Sequence, residues 1–196
     1  ATVTVRGRSV HPGTAKNTMI NSIMVAGAFD SLLPQYERPE HTAGYEGFFH
    51  LYDIRGSVEE TVLKYIVRDH DPVIFARRKK ILEEAAETIL KRYHGAEVNI
   101  NMRDQYFNMK EIIEANYYII EAAVEAYRKA GIEPVIKPVR GGTDGARLSF
   151  MGLPCPNLFT GGHNYHGRFE FIPLQSMEKA VEVIINLVTS ANESIK

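Results

Sequence analysis

The chain has 196 residues, of which 44% are apolar, enough to bury the core of one large domain or two small ones. Its 23 basic and 24 acidic residues leave a formal charge of -1, which excludes the strong positive field that recruits nucleic acid or an anionic membrane. Cys155 is the single cysteine, which excludes an internal disulfide and favours a reducing, cytoplasmic compartment. No apolar run reaches the roughly 18 residues of a membrane span. The sequence opens at Ala1 in a strand-like pattern without an initiator methionine, so we expect a piece of a longer protein.

The first half alternates between the two-residue period of strands and the 3.6-residue period of helices. In chain order, the patterns predict a strand around 3–5, a helix over 19–33, strands over 48–54 and 62–67, a helix from 72 to near 95, and a strand over 98–102. Asp71 and Pro72 have the residue types of an N-cap and first helical position. The order β-α-β-β-α-β predicts an α+β ferredoxin-like domain over residues 1–108, with an antiparallel four-stranded sheet and two helices on one face.

The second half, residues 109–196, has a different rhythm that is typical of an α/β domain. We predict a helix from about 119 to Gly131, short strands over 134–137 and 158–159, and a last helix capped by Ser176. So few strands make a sheet that needs neighbours, which we expect to lie upstream of Ala1.

Two histidines, His163 and His166, lie in a glycine-rich turn ahead of Glu170. Imidazole is the commonest zinc ligand in proteins, although a histidine in such a turn is more often a hydrogen-bonded loop residue. Spacing alone does not decide which of the two histidines is the better candidate for a ligand. The consecutive Asp69-His70-Asp71 also has ligand chemistry, but neighbours in an extended segment point to opposite faces, so we predict a solvated strand end there.

Three further residues are candidates for binding or catalysis. His11 follows the first strand in the turn His11-Pro12-Gly13, where it is either a surface histidine or one projected towards a ligand. Arg68 ends an apolar strand, where a guanidinium holds a substrate carboxylate or forms a structural ion pair. Arg140 precedes the glycine-rich run 141–145, whose backbone N–H groups have the spacing of an anion-binding turn.

Four spaced motifs, taken together, resemble the C-terminal half of the peptidase T family, the bacterial tripeptide aminopeptidases among the co-catalytic dizinc exopeptidases. The motifs, in order along the chain, are GRSVHPGTAKNT (7–18), RGGTDGARLS (140–149), GLPCPNLFTGG (152–162) and NYHG (164–167). The resemblance implies a β-α-β-β-α-β lid that mediates homodimerisation, followed by the returning end of a zinc-binding catalytic domain.

The resemblance also implies roles for individual residues. His166, followed four residues later by Glu170, matches a zinc ligand, and this match favours His166 over His163. His11 matches a lid histidine that reaches the partner subunit's active site and stabilises the carbonyl oxygen as it becomes an oxyanion. Arg68 and Arg140 match arginines that contact the substrate, a tripeptide.

The family's other zinc ligands and its general base belong to an N-terminal half that this sequence does not contain. One of the ligands for two zinc ions is therefore expected here, and the segment alone is expected to lack peptidase activity. Two alternatives stay open: a stand-alone, non-catalytic dimerisation or binding module, and a related dipeptidase or aminoacylase.

Overall fold

A computed structural model describes residues 1–194. The chain divides into two compact units, the first covering Ala1–Gln105 and the second beginning at Tyr106. The predicted boundary after residue 108 and the roles assigned to the two segments stay predictions.

The first unit is a four-stranded antiparallel sheet covered on one face by two helices. Its elements are β1 (Thr2–Arg6), α1 (Ser22–Leu32), β2 (Phe48–Gly56), β3 (Glu60–Arg68), α2 (Pro72–Arg92) and β4 (Glu97–Asn101). The sheet order is β2-β3-β1-β4, with every neighbouring pair antiparallel. This order and the β-α-β-β-α-β sequence of elements confirm the predicted ferredoxin-like α+β fold.

The core of the first unit lies between the sheet and its helices. Strand alternation turns Val3 and Val5 of β1 and Leu63 of β3 inward, and all three side chains are fully buried. Phe29 of α1 and Leu82 of α2 are equally buried and pack in the same cluster. The apolar periodicity of the sequence therefore identified both helices and the face that α2 buries. In α1, Ile23 and Met24 belong to the apolar pattern but are exposed.

Helix α2 begins where its sequence predicts. Asp71 is the N-cap, and its Oδ1 accepts hydrogen bonds from the backbone N–H groups of Val73 at 2.7 Å and Ile74 at 3.0 Å. Pro72 occupies the first helical position, where its missing N–H costs nothing.

The second unit contains helices α3 (Lys110–Glu114), α4 (Tyr118–Lys129), α5 (Asp144–Phe150) and α6 (Leu174–Ser194). Its core is small: Ala126 and Ala130 of α4 and the following turn pack against Val183 of α6. The Lys179 side chain donates to the carbonyl of Ala130 at 2.7 Å and joins the same two helices.

Three local predictions for the second unit are wrong. Residues 134–137 and 158–159 form no strand, because a strand needs a hydrogen-bonded neighbour and the described part of this unit has no other strand beside them. Val135 is 72% exposed. Ser176 does not cap α6, since the helix starts at Leu174 and the carbonyl of Pro173 accepts from the N–H groups of Ser176 and Met177.

Candidate functional site

His11 lies in a tight turn beyond the end of β1. It is the N-cap of a single 3-10 turn, Pro12–Thr14, and its Nδ1 accepts a hydrogen bond from the backbone N–H of Gly13 at 3.1 Å. Its carbonyl accepts from the Thr14 N–H at 2.9 Å and from the Thr14 hydroxyl at 3.2 Å. His11 is exposed, and the turn holds its side chain through Nδ1.

The turn that carries His11 is anchored near the β2–β3 hairpin. Arg8 and Ile20 close the loop by an isolated antiparallel bridge, and the backbone N–H of Ser9 donates to the Glu59 carboxylate at 3.0 Å. Arg6, the last residue of β1, pairs with Glu60, the first residue of β3. His11 therefore belongs to the hairpin end of the sheet.

Arg68 is the last residue of β3 and pairs with Phe48 of β2. Its guanidinium lies over the Phe48 ring, 5.9 Å from the ring centroid, a distance suited to a cation–π contact. Glu60 and Arg68 are the first and last residues of β3, so roughly 27 Å separates them at about 3.4 Å per residue. Within the first unit, Arg68 and His11 thus lie at opposite ends of the sheet.

Arg140 belongs to the second unit and is partly buried, in the irregular segment ahead of α5. The glycine-rich run after it does not stay a loop, because Thr143 caps α5 and its hydroxyl accepts from the Ala146 N–H at 3.2 Å. A side chain at Gly142 would collide with the Tyr106 ring, so the absence of a Cβ allows this close packing.

His166 lies at the tip of a nine-residue loop, 163–171. The loop is closed at its base by backbone hydrogen bonds between His163 and Phe171, of 2.8 and 3.2 Å. At the tip, the Gly167 N–H donates to the Asn164 carbonyl at 2.8 Å, which makes His166 the third residue of a turn. Its φ of 63° is left-handed, a conformation that costs a residue other than glycine about 1 kcal/mol.

Glu170 compensates for that backbone conformation. Its Oε2 accepts a hydrogen bond from the backbone N–H of His166 at 2.9 Å. The carboxylate therefore supports the turn from across the loop, and the His166 imidazole projects from an exposed position. The sequence did not predict this role of Glu170, because a hydrogen bond between a side chain and a backbone N–H leaves no periodic pattern.

His163 has a structural role in the same loop. Its ring stacks on Phe171 with a centroid separation of 5.0 Å and an interplanar angle of 14°. This packing accounts for His163 without a ligand and fits its interpretation as a loop neighbour of His166.

The described residues do not by themselves make a zinc site. Among the side chains that the structure describes, no group of three or more His, Cys, Asp or Glu residues is arranged to hold a metal ion. A catalytic zinc ion normally takes three protein ligands, so His166 would need partners from outside the described residues to hold one.

Asp69 is not the solvated residue that the sequence predicts. Its side chain is 5% exposed and accepts a hydrogen bond at 2.8 Å from Nε of Arg78, which is itself buried. The Nη1 atom of Arg78 also pairs with the Glu37 carboxylate. The partners come from α2 and from the loop before β2, and pairing across such sequence distances is invisible to local patterns.

No helix within the described part of the chain has the length and apolar character needed to cross a membrane.

Residues 1–97 match the family model described as the peptidase dimerisation domain. Peptidase T of Caldanaerobacter subterraneus subsp. tengcongensis is 54% identical over 188 residues, covering 96% of this chain and 46% of that protein. Peptidase T of Clostridium perfringens is 56% identical, with the same two coverages. The chain thus spans about half the length of these relatives.

Two solved structures share the fold. Aminopeptidase PepT from Bacillus cereus aligns with a TM-score of 0.66 at 20% identity, covering 95% of this chain and 49% of that one. A hydantoinase/carbamoylase family amidase from Burkholderia vietnamiensis aligns with a TM-score of 0.74 at 14% identity, with coverages of 96% and 46%.

Proposed function

Because the chain belongs to the peptidase T family, we propose that it is a segment of a zinc-dependent, cytoplasmic aminopeptidase that removes the N-terminal residue from tripeptides. The observation that carries the proposal is identity of 54–56% to Peptidase T over 96% of the chain. The alternative of a stand-alone binding module is not favoured, because those relatives are peptidases of which this chain spans 46%.

In the proposed enzyme, His166 supplies one zinc ligand. The remaining ligands and the general base would come from the part of the relatives' length that this chain does not span. The left-handed backbone of His166 supports a special role for this position, because strained residues cluster at functional sites. When bound, zinc would supply Lewis-acid polarisation of the substrate carbonyl.

His11 would donate a hydrogen bond from Nε2 to the carbonyl oxygen of the scissile peptide as negative charge develops there. A preorganised donor of this kind stabilises a transition state by about 2.7 to 4 kcal/mol. The hydrogen bonds of the 3-10 turn support this role, since they hold the residue before substrate arrives.

Arg68 and Arg140 would each contact the tripeptide, whose carboxylate is an anion that a guanidinium pairs with in bidentate fashion. An extended tripeptide spans only about 10 Å. His11 and Arg68 lie at opposite ends of a sheet whose central strand is roughly 27 Å long, so one subunit would not offer both to one substrate. A homodimer that takes His11 from one subunit and Arg68 from the other fits this separation, and the match to a peptidase dimerisation domain supports it.

Subunit mixing in the full-length protein tests the shared site. His11→Ala is expected to retain zinc and lose kcat by about 10²- to 10³-fold, whereas His166→Ala is expected to lose bound zinc. In mixed dimers of the two variants, one site has both its own His166 and the partner's intact His11. Half of randomly mixed dimers are heterodimers with one working site of two, so about a quarter of wild-type activity should return.

Two results would contradict the proposal. A full-length protein without bound zinc and without tripeptide hydrolysis would exclude the function itself. A mixture as inactive as each variant alone would keep the function but place His11 in the active site of its own subunit. The exposed His94→Ala serves as the control for losing an imidazole, and the 196-residue chain alone is expected to be inactive.

A further inference from the structure

The imidazole of His11 folds back onto its own turn. Its Nδ1 accepts from the backbone N–H of Gly13, two residues ahead, at 3.1 Å. An amide N–H only donates, so Nδ1 must carry a lone pair and not a proton. In the neutral ring, the proton is then on Nε2, the ring nitrogen for which the turn provides no hydrogen bond.

We propose that Gly13 is a positioning residue that fixes His11 as the Nε2–H tautomer. The catalytic purpose of this tautomer rests on the proposed function, whereas the tautomer itself is a property of the turn. Which ring nitrogen of a histidine carries the proton is commonly set by the hydrogen bond that the other nitrogen makes.

Glycine at position 13 allows the imidazole of His11 to lie this close to the backbone. A Cβ on residue 13 would lie 3.2 Å from both Nδ1 and Cε1 of His11, tighter than most real Cβ contacts. The ring would therefore have to withdraw by a few tenths of an ångström, which lengthens the hydrogen bond to Nδ1.

The rest of the turn holds the donor N–H in place. Thr14 donates to the His11 carbonyl through both its N–H and its hydroxyl, and the Ala15 N–H donates to the Pro12 carbonyl at 3.4 Å. Pro12 restricts the backbone next to His11. The turn thus holds in place both the Gly13 N–H and the backbone of His11, the two groups that its hydrogen bond to Nδ1 connects.

Long-range ¹H–¹⁵N correlation spectra of the 196-residue chain test the tautomer directly, above the pH at which histidines are protonated. We expect an Nδ1 signal typical of an acceptor and an Nε2 signal typical of a protonated nitrogen for His11. Gly13→Ala should lower the ratio of Nε2–H to Nδ1–H tautomer by up to about fivefold, the limit set by complete loss of one ordinary hydrogen bond. Exposed His94 provides an internal reference for an unconstrained ring.

Gly27→Ala is the matched control, because a Cβ at Gly27 of α1 meets nothing within 4 Å. It should leave the His11 signals unchanged. A parent chain in which His11 and His94 show the same tautomer ratio would overturn the proposal, as would a Gly13→Ala variant with an unchanged His11 ratio.

The full-length enzyme separates this inference from the proposed function. Gly13→Ala should lower kcat with KM unchanged, in proportion to the fraction of His11 that it moves out of the Nε2–H tautomer, since the donor acts in the transition state. A clearly lower Nε2–H fraction with unchanged kcat would uphold the positioning role and contradict the catalytic use of His11. Unaltered signals would reject the positioning role whatever the activity.

Discussion

At the scale of single residues, the first unit is organised around a buried guanidinium. Arg78 of α2 lies between the carboxylates of Asp69 and Glu37, with its guanidinium carbon 5.3 Å from the centroid of the Phe49 ring. The backbone of Gly47 packs so closely against this group that a side chain there would collide with Asp69 and Arg78. One arginine therefore joins α2, the end of β3 and the loop before β2.

Asp69→Asn is expected to lower the free energy of unfolding of the first unit by about 3 kcal/mol, because it leaves a buried cation with only the more exposed Glu37 as a charged partner. Urea unfolding of the whole chain, followed by the amide NMR signals of β1 and β3, measures the loss. Glu84→Gln breaks the exposed pair with Lys80 and should cost less than about 0.5 kcal/mol. Equal losses in the two variants would show that the buried pair adds nothing.

Tyr65 should make the stability of the first unit depend on pH in alkali. Its hydroxyl donates to Asp30 at 2.8 Å, and burial, reinforced by the negative charge of Asp30, raises the pKa of Tyr65 well above its usual value. Above a pH of about 10 the unfolded chain loses this proton while the folded unit keeps it, so the free energy of unfolding falls as pH rises.

Tyr65→Phe should lower the stability of the first unit at neutral pH, because Asp30 loses a donor, and should flatten the loss of stability above pH 10. Unfolding measured across that pH range tests both effects. Tyr36→Phe removes a hydroxyl from a side chain that is 84% exposed and is the control. The same alkaline slope in the parent and in Tyr65→Phe would contradict the prediction.

At the scale of elements, α2 is the helix whose start depends on one side chain. Asp71→Ala removes the acceptor for two backbone N–H groups and should cost about 1 kcal/mol. Asp71→Ser should recover most of that loss, because serine is also a good cap. Thermal unfolding of the first unit compares the variants, and an alanine variant as stable as the parent would show that water replaces the cap without cost.

Elements were predictable from the sequence where their cause is local. Asp71 and Pro72 predict the start of α2, and the alternation of apolar Val3 and Val5 with polar residues predicts β1. Both signals are local, because capping and pleating depend on neighbours in sequence. Residues 134–137 have strand composition but form no strand, since pairing depends on a distant segment. The burial of Asp69 likewise depends on Arg78 and Glu37.

The candidate site follows the same division. The positions of His11 and His166 in turns were expected from flanking glycines and proline, and their roles came only from resemblance. The sequence predicted neither the acceptor function of the His11 Nδ1 nor the hydrogen bond from the His166 N–H to Glu170. Both are contacts of a side chain with a backbone N–H, whose geometry no spacing rule specifies.

At the scale of the whole molecule, the two units bury very different cores. In the first, Phe29, Phe49, Leu63, Leu82 and Ile89 are all fully buried in one cluster. In the second, the buried cluster consists of Ala126, Ala130 and Val183, with partly buried neighbours around it. Helix α6 meanwhile exposes Val181, Ile185 and Val188, which therefore contribute little burial energy.

The second unit should consequently open first. In native-state hydrogen exchange, amides of α4 and α6 are expected to exchange through a local opening of lower free energy than amides of β1 and β3.

Val183→Ala should lower the opening free energy of α4 and α6 by about 2 kcal/mol, because it removes buried methyl groups. Val188→Ala makes the same chemical change on the same helix at a side chain that is 63% exposed, so its effect should stay below about 0.5 kcal/mol. Neither variant should alter exchange in the first unit, and an equal change in both units would mean that the chain unfolds as one cooperative body.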